Sequence, residues 1–535
     1  MGYLFKKIRL AKLLNENRKN VDLDDEREQK LISKDLGENI KDLRSVIDSG
    51  GDIVLREFCI GNDNKPNAAV VFIEGLVNKD ILDASVLKPL MFLSALPDKS
   101  KSGLHDIDFI ENNLLSAGNI SRFSAYDELI DNLFSGEIIL LVGGASEGLV
   151  INAFDPKTRA VEPPMTESVV RGSREGFTES IRTNISLLRR KIKNPDLCFE
   201  KIKIGKKSKT DVAVAYLKSI ADPALIEEIK KRLGEISIDA VLESGYIEQF
   251  IEDAPFSIFP TVANSEKPDK VAAKLLEGRA AIFVDGTPFV LTVPMLFIES
   301  FQRSEDYYAR PYYASMIRLI RFACYFISVL APAVYIALTT FHQELIPTKL
   351  LLTLAAGHEQ IPFPSVIEAF FILTVFEILR EAGITMPQPV GSAVSIVGAL
   401  VLGESAVTAG LIGPFMVIIV ALTAISGFVV TAQIDSATVL RFVFLILAGA
   451  AGGFGIIMGM LVVGIHLASL RSFGIPYLSP ISPFMPAEQK DALIRAPLRT
   501  FIFRPTSIVK KNITRQNPGA LRKNNEKNPG GQNEN

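Results

Sequence analysis

The chain has 535 residues, 48% of them hydrophobic and 22% charged, with a formal net charge of −2. One hydrophobic core rarely organises so many residues, so at least two domains are expected, and balanced charge without a basic-aromatic pattern argues against nucleic acid as a partner. Cys59, Cys198 and Cys324 are far apart and odd in number, which offers no disulfide framework or cysteine metal cluster and suits a reducing setting for the soluble part.

Nearly all Lys, Arg, Asp and Glu fall before about residue 321 or after about residue 485, with long uncharged runs between. The hydrophobic excess therefore belongs to a membrane domain rather than to a larger core. The start, MGYLFKKIRLAKLLNENRKN, has no apolar run long enough for a signal peptide, and Lys6 spoils a myristoylation match, so the N-terminus is expected in the cytoplasm. Residues 1–50 read as a charged cytoplasmic arm with too little apolar surface to fold alone.

From about 51 to 300, short β-branched runs alternate with amphipathic stretches bounded by Gly, Pro and Asn, an α/β pattern. LIDNLFSGEIILLVGGASEGLVINAF (129–154) aligns with VAAKLLEGRAAIFVDGTPFVLTVP (271–294), pairing Gly136 with Gly278, Val142 with Val284, Gly144 with Gly286 and Leu149 with Leu291. Upstream, AAVVFIEGLVNKDIL (68–82) and VAVAYLKSIADPALI (212–226) repeat a strand and a helix start at nearly the same spacing. The expectation is an internal duplication: two related α/β subdomains over 51–160 and 161–305, with two-residue turns at Gly143-Gly144 and Asp285-Gly286. In the linking helix within 162–195, Phe177, Ile181, Ile185, Leu188 and Ile192 share one face. Arg182, Arg189, Arg190 and Lys193 lie largely off it and are expected to form a solvated face balanced by Glu167, Glu175 and Glu179.

The membrane region, 306–480, holds apolar stretches at about 322–340, 365–379, 390–412, 413–434 and 439–468. A crossing needs about 20 residues, so 365–379, weakened by Glu368 and Glu377, is expected to lie in the interface or to re-enter. Arg303, Arg310, Arg318 and Arg321 precede the first span, and Arg495, Arg499, Arg504, Lys510, Lys511 and Arg515 follow the last, which puts both flanks in the cytoplasm. Equal sidedness favours four spans, with five or six as alternatives. Gly449, Gly453, Gly455 and Gly459 form two GxxxG pairs that allow close helix packing. In 389–410, Val390, Val394, Val397, Val401 and Glu404 make one stripe. Such a stripe suits a lipid-facing helix, or, because a carboxylate is costly in lipid, a helix that lines a pore. In the pore arrangement Gly391, Ser395 and Gly398 would pack on neighbouring helices. Residues 481–535 read as a basic cytoplasmic tail, disordered at its end.

No catalytic constellation is legible: IGKKSKT (204–210) lacks the glycine spacing of a phosphate loop, and neither HExxH nor GxSxG occurs. His105, His342, His358 and His466 are scattered and read as interfacial or packing residues. No enzyme, cofactor or metal reading has residues to rest on.

Several blocks together resemble the A subunits of spore germination receptors, the GerA-type nutrient receptors of spore-forming Firmicutes. They include ESVVRGSREGFTESIRTNISLLRRKI, DAVLESGYIEQFIEDAPFSIFPT, LLEGRAAIFVDGTPFVLTVP, EDYYARPYYASMIRLIRF, PAVYIALTTFHQELIPTKLLL and FEILREAGITMPQPVGSAVSIVGALVLGESAVTAGL, spread over about 68–500. SEKPD (265–269) departs from the family's usual run, with Lys267 in place of an arginine, so an ion pair there is expected to lose the bidentate fork. The resemblance implies a place in the inner membrane of the spore and assembly with a transporter-like B subunit and a lipoprotein C subunit. It also implies homo-oligomerisation into an ion-conducting pore, which favours the pore reading of the valine stripe. The competing expectation is a non-conducting scaffold that relays the nutrient signal to a separate ion-release machine. A secondary transporter ranks third, because paired inverted repeats are lacking.

Overall fold

The computed structural model describes residues 30–47, 51–60, 66–92, 107–154, 164, 166–167, 169, 171–359, 361–386 and 403–516. They divide into two compact units, the first drawn from Met1–Ile251, Ala263–Val293 and Phe501–Asn535, the second from Glu252–Val262 and Pro294–Thr500.

In the first unit α1 (Leu36–Ile47) precedes β1 (Ile53–Phe58) and β2 (Ala68–Ile73). With β3 (Ile120–Phe123), α2 (Tyr126–Ser135), β4 (Ile138–Val142) and β5 (Gly148–Ile151) they give an antiparallel sheet ordered β1-β2-β4-β5-β3. After α3 (Ile181–Lys191) come β6 (Leu197–Ile204), β7 (Thr210–Leu217), α4 (Pro223–Glu235), α5 (Ser244–Ile251), β8 (Ala263–Ser265), α6 (Pro268–Leu275), β9 (Ala280–Val284) and β10 (Val290–Val293). Their sheet is ordered β6-β7-β9-β10-β8, the same order element for element.

Strand alternation explains the first core. In β2, Ala68, Val70 and Phe72 enter one apolar cluster, while Ala69, Val71 and Ile73 enter another together with α1 and α2. With both faces covered, every residue of β2 and β4 is buried. The arm expected over 1–50 is thus corrected at its end, because Ile32, Leu36, Ile40 and Leu43 are core residues.

The likeness of the halves extends to individual hydrogen bonds. Ser33 and Asn39 clamp each other, with Ser33 N donating to Asn39 Oδ1 (2.9 Å) and Asn39 Nδ2 to Ser33 O (2.6 Å). Thr178 and Asn184 repeat the clamp at 2.7 and 2.6 Å. Gly144 N donates to Lys34 O at 2.9 Å and Gly286 N to Glu179 O at 2.7 Å. Both glycines sit at φ 94°, where a Cβ would be strained although space is open. The turns are longer than the two residues expected, running from Val142 to Gly148 and from Val284 to Val290. Asp285 also anchors the start of α3, where its Oδ1 accepts Ile181 N at 3.0 Å.

The solvated face expected on the linking helix is corrected at Arg189, which is fully buried. Its Nε and Nη2 fork onto Asp52 Oδ2 and Oδ1 at 2.8 and 2.9 Å, its Nη1 donates to Asn194 O at 3.1 Å, and the ring centres of Phe134 and Phe199 lie 5.2 and 5.1 Å away. Asp52 and Phe134 belong to the first half of the unit, so this guanidinium joins the halves. Arg182 is exposed as expected. Glu167 is also tied in, accepting Ser265 Oγ and Lys270 Nζ, both at 2.5 Å. Lys267 is buried, its Nζ 3.6 Å from Asp269, without a fork.

The tail expected over 481–535 is corrected too, because residues 501–516 pack onto the second half. Ile508 and Val509 are buried, Arg504 Nε donates to Leu276 O at 2.9 Å, and Lys510 Nζ lies 2.5 Å from Asp222 Oδ2. A Cβ on Gly278, at φ 87°, would meet Val509 Cγ2 at 2.5 Å.

The second unit holds α7 (Pro311–Thr340), α8 (Thr348–His358), α9 (Ser365–Thr385), α10 (Gly403–Thr408), α11 (Pro414–Val429) and α12 (Ile434–Ser469). Among the described residues two helices are long and apolar enough to cross a membrane, Pro311–Thr340 and Thr431–Ser469, so four spans are not confirmed. The stretch expected in the interface, 365–379, is part of a 21-residue helix. α12 reverses at Gly452, where φ is 57° and ψ −138°. A Cβ on Gly459 would meet Phe444 at 2.7 Å, a contact that a straight helix rising about 1.5 Å per residue could not make. α12 is therefore a hairpin of two helices. Contacts of Arg441 with Ser328 and Glu377, of Gly452 with Phe341, of Val366 with Gly449, and of Gly413 with Glu368 order the rest. α7 and the first half of α12 run one way, α9 and α11 the other.

Three measurements follow from these contacts. Asp52→Ala strands a buried guanidinium and should cost about 3–5 kcal/mol, read as a lower denaturation midpoint of the head, whereas Asp52→Ala with Arg189→Met should cost much less. Gly286→Val should cost about 1–2 kcal/mol. Burial pushes Glu167 up, but Lys270 and Ser265 outweigh it and hold the carboxyl below its usual 4.5. Its contribution is therefore present above the unfolded value and lost as pH falls through the lower folded one. Glu167→Gln should flatten the acid limb of the stability profile.

Candidate functional site: charges inside the apolar helices

Side chains on the outside of the second unit are apolar: Ile418, Ile425, Phe454, Val462 and Ile465 are each more than 60% exposed. Several charges turn inward: Arg318, Arg321, Glu368 and Arg441 are buried, where each needs a partner. On α9, Glu377 Oε1 accepts Arg441 Nη1 from α12 at 2.8 Å, and Glu377 Oε2 lies 2.8 Å from Arg380 Nη2 one turn along. Arg441, buried, also donates Nε to Ser328 O of α7 at 2.8 Å. These contacts tie together α7, α9 and α12.

A second group lies toward the other end. Glu368, buried, accepts Gly413 N with Oε1 at 2.5 Å, at the N-terminus of α11 where the helix dipole favours negative charge. His358 of α8 sits between Tyr335 OH, 3.2 Å from Nε2, and Glu368 Oε2, 3.8 Å from Nδ1. Glu368 Oε2 has no hydrogen-bond partner among the described residues.

At the base, Asp306 accepts Arg318 Nε at 2.9 Å and Arg321 Nη1 at 2.8 Å, while Asp491 accepts Arg318 Nη1 at 2.8 Å and Tyr307 OH at 2.9 Å. Arg318, Arg321 and Arg495 are buried. Of the basic residues that flank the apolar stretches, these three are bound within the protein.

The stripe expected to line a pore is mostly outside the described residues: Val390, Val394, Val397 and Val401 lie there, as do Gly391, Ser395 and Gly398. Glu404 is described and is exposed on α10. The other small residues occupy close approaches. A Cβ would meet Val366 at 2.8 Å from Gly449, His342 at 3.0 Å from Gly453 and Phe444 at 2.7 Å from Gly459, and on Gly455 it would overlap the carbonyl oxygen of Leu447. His342 Nε2 accepts Gly453 N at 3.2 Å and His466 Nε2 is 3.0 Å from Ser257 Oγ. His105 lies outside the described residues. No group of three or more His, Cys, Asp or Glu suited to a metal occurs among the described residues. Sequence reasoning saw Glu368 and Glu377 as weakening a span and missed Arg441 and His358 as their partners. The signal was the count of ionisable residues in otherwise apolar segments.

The fold and site define a two-unit class of protein, an α/β unit and a helical unit that holds two helices long and apolar enough to cross a membrane. The chain belongs to the GerA family: the family model for the Bacillus/Clostridium GerA spore germination protein matches residues 41–507. Spore germination protein KA of Bacillus subtilis (strain 168) is 46% identical over 488 residues, covering 91% of this chain and 89% of that protein. The uncharacterized membrane protein YfkQ of the same strain is 44% identical, covering 90% and 93%. Spore germination protein GerLA of Bacillus cereus is 36% identical, covering 90% and 97%. The N-terminal domain of the A subunit of the Bacillus megaterium spore germinant receptor GerK3, solved by crystallography, is 39% identical and covers 51% of this chain and 99% of that one, with a TM-score of 0.40.

Arg441→Met would leave Glu377 with Arg380 alone and Ser328 O without its donor. Losing one partner of a buried pair should cost about 3–5 kcal/mol, seen as reduced accumulation and a lower melting midpoint of the detergent-solubilised chain.

Proposed function

We propose that this chain is the A subunit of a nutrient germinant receptor in the inner membrane of the spore, and that it oligomerises into a ligand-gated cation channel that starts germination. The observation that carries the receptor role is the family match over residues 41–507, with relatives named as spore germination proteins. The partners are a transporter-like B subunit and a lipoprotein C subunit, and membrane lipid surrounds the helices.

We read the head and the residues after the last helix as lying on one side of the membrane. The chain leaves α9 at the end of the unit near Thr438 and enters α11 at the opposite end, beside Glu368. Residues 501–516 pack in the same unit as the head, which is in keeping with one side for both flanks. The cytoplasm is that side.

In the channel, copies of the 389–410 segment surround an axis. Val390, Val394, Val397 and Val401 form a constriction that closes by dewetting, and Glu404 supplies an acidic ring at one mouth that favours cations. The exposed position of Glu404 supports that placement. Val397→Ser should wet the constriction, so that spores leak cations and germinate without nutrient. Glu404→Gln should lower cation flux at an unchanged protein level. If Val397→Ser spores stay as dormant as the parent while the protein is present at normal levels, the stripe faces lipid and the gate lies elsewhere.

A further inference from the structure

The chain leaves the head after α5 and contributes Glu252–Val262 to the helical unit before returning as β8. Within that excursion, Phe256 and Ile258 are exposed while Ser257 and Phe259 between and after them are more buried. Phe259 is buried, with Phe297 and His466 at ring distances of 6.3 and 6.1 Å, and Ser257 Oγ lies 3.0 Å from His466 Nε2. Thr261 O accepts Ser472 Oγ at 2.7 Å and Phe473 N donates to Asp253 Oδ2 at 2.5 Å. Two prolines that fix φ and these bonds hold the loop in one shape. Yet Phe256 is 101% exposed and Ile258 is 36% exposed.

A fully exposed phenylalanine on a firmly held loop is unusual, and the neighbouring surface indicates what covers it. His466 belongs to the last turn of α12, whose adjacent Ile465 and Val462 are 70% and 64% exposed. The outer face of that arm is apolar up to its end, where exposed Arg471 follows. Phe256 thus lies beside the point where an apolar helix face gives way to a cation, the level at which aromatic and basic side chains meet the lipid interface. We propose that the 255–258 loop is an interfacial membrane anchor, with Phe256 and Ile258 seated at the headgroup–acyl boundary and Arg471 beside the lipid phosphates. The proposal rests on the helical unit being embedded in a bilayer, and it is independent of whether the chain conducts ions.

The sequence contains no tryptophan, so a single introduced indole reports its own surroundings. Phe256→Trp and, as a reference on the helix face, Ile465→Trp are placed in the full-length chain. Each is reconstituted in phosphatidylcholine–phosphatidylglycerol vesicles carrying bromine either high or low on the acyl chains. The anchor predicts blue-shifted Phe256→Trp emission, quenched at least twofold by shallow bromines and less by deep ones, with Ile465→Trp quenched as well. Quenching of Ile465→Trp alone overturns the anchor and leaves the embedded helices standing; water-like Phe256→Trp emission then means solvent, and blue-shifted but unquenched emission means a protein contact. Quenching of neither overturns the anchor together with the membrane reading. If Phe256→Trp does not accumulate, Ile258→Trp reads the same loop with the same outcomes.

Discussion

A guanidinium group removed from water must find a carboxylate nearby, and the chain meets this demand at three separate places. Arg189 forks onto Asp52 in the head, Arg318 and Arg321 share Asp306 at the base of the helical unit, and Arg441 takes Glu377 between α7 and α9. In each case the arginine lies on one helix and its acceptors on other segments. The requirement to stay paired fixes how those segments meet, because a slip of one residue would strand a charge at a cost of several kcal/mol. Apolar packing supplies most of the burial, but it tolerates sliding, whereas buried ion pairs do not.

Much of the head was legible from sequence. Strands with a period of two, glycines where φ is positive and equal offsets between segments pointed to paired α/β halves, and the two sheets share one strand order. Arg189 was misread because helical periodicity records only that it lies off the face of Ile181, Ile185 and Leu188. It cannot record that Asp52, 137 positions away, comes to meet it. The C-terminal strap was hidden for a similar reason. Its basic and polar composition reads as a tail, while its packing depends on Gly278 leaving room for Val509.

The helical unit was harder to read. Hydropathy marks apolar length but not reversals, so the stretch 439–468 read as one span although Gly452 folds it into a hairpin. Glu368 and Glu377 lowered the apparent quality of their segment, which in the structure is a full helix because each carboxylate has partners brought by α8, α11 or α12. The pore stripe proposed from Val390 to Glu404 rests on spacing and on the family resemblance, with Glu404 the member that the described residues include.

That the family's germination role is carried by ion conduction through this chain is tested most directly in liposomes. The chain, purified with the B and C subunits proposed as its partners, would be reconstituted with a potassium-sensitive dye inside. The channel account predicts nutrient-dependent potassium flux that falls when Glu404 is replaced by Gln and is absent from vesicles lacking this chain. A fully assembled, nutrient-binding complex that passes no ions would contradict it and leave the chain as a scaffold.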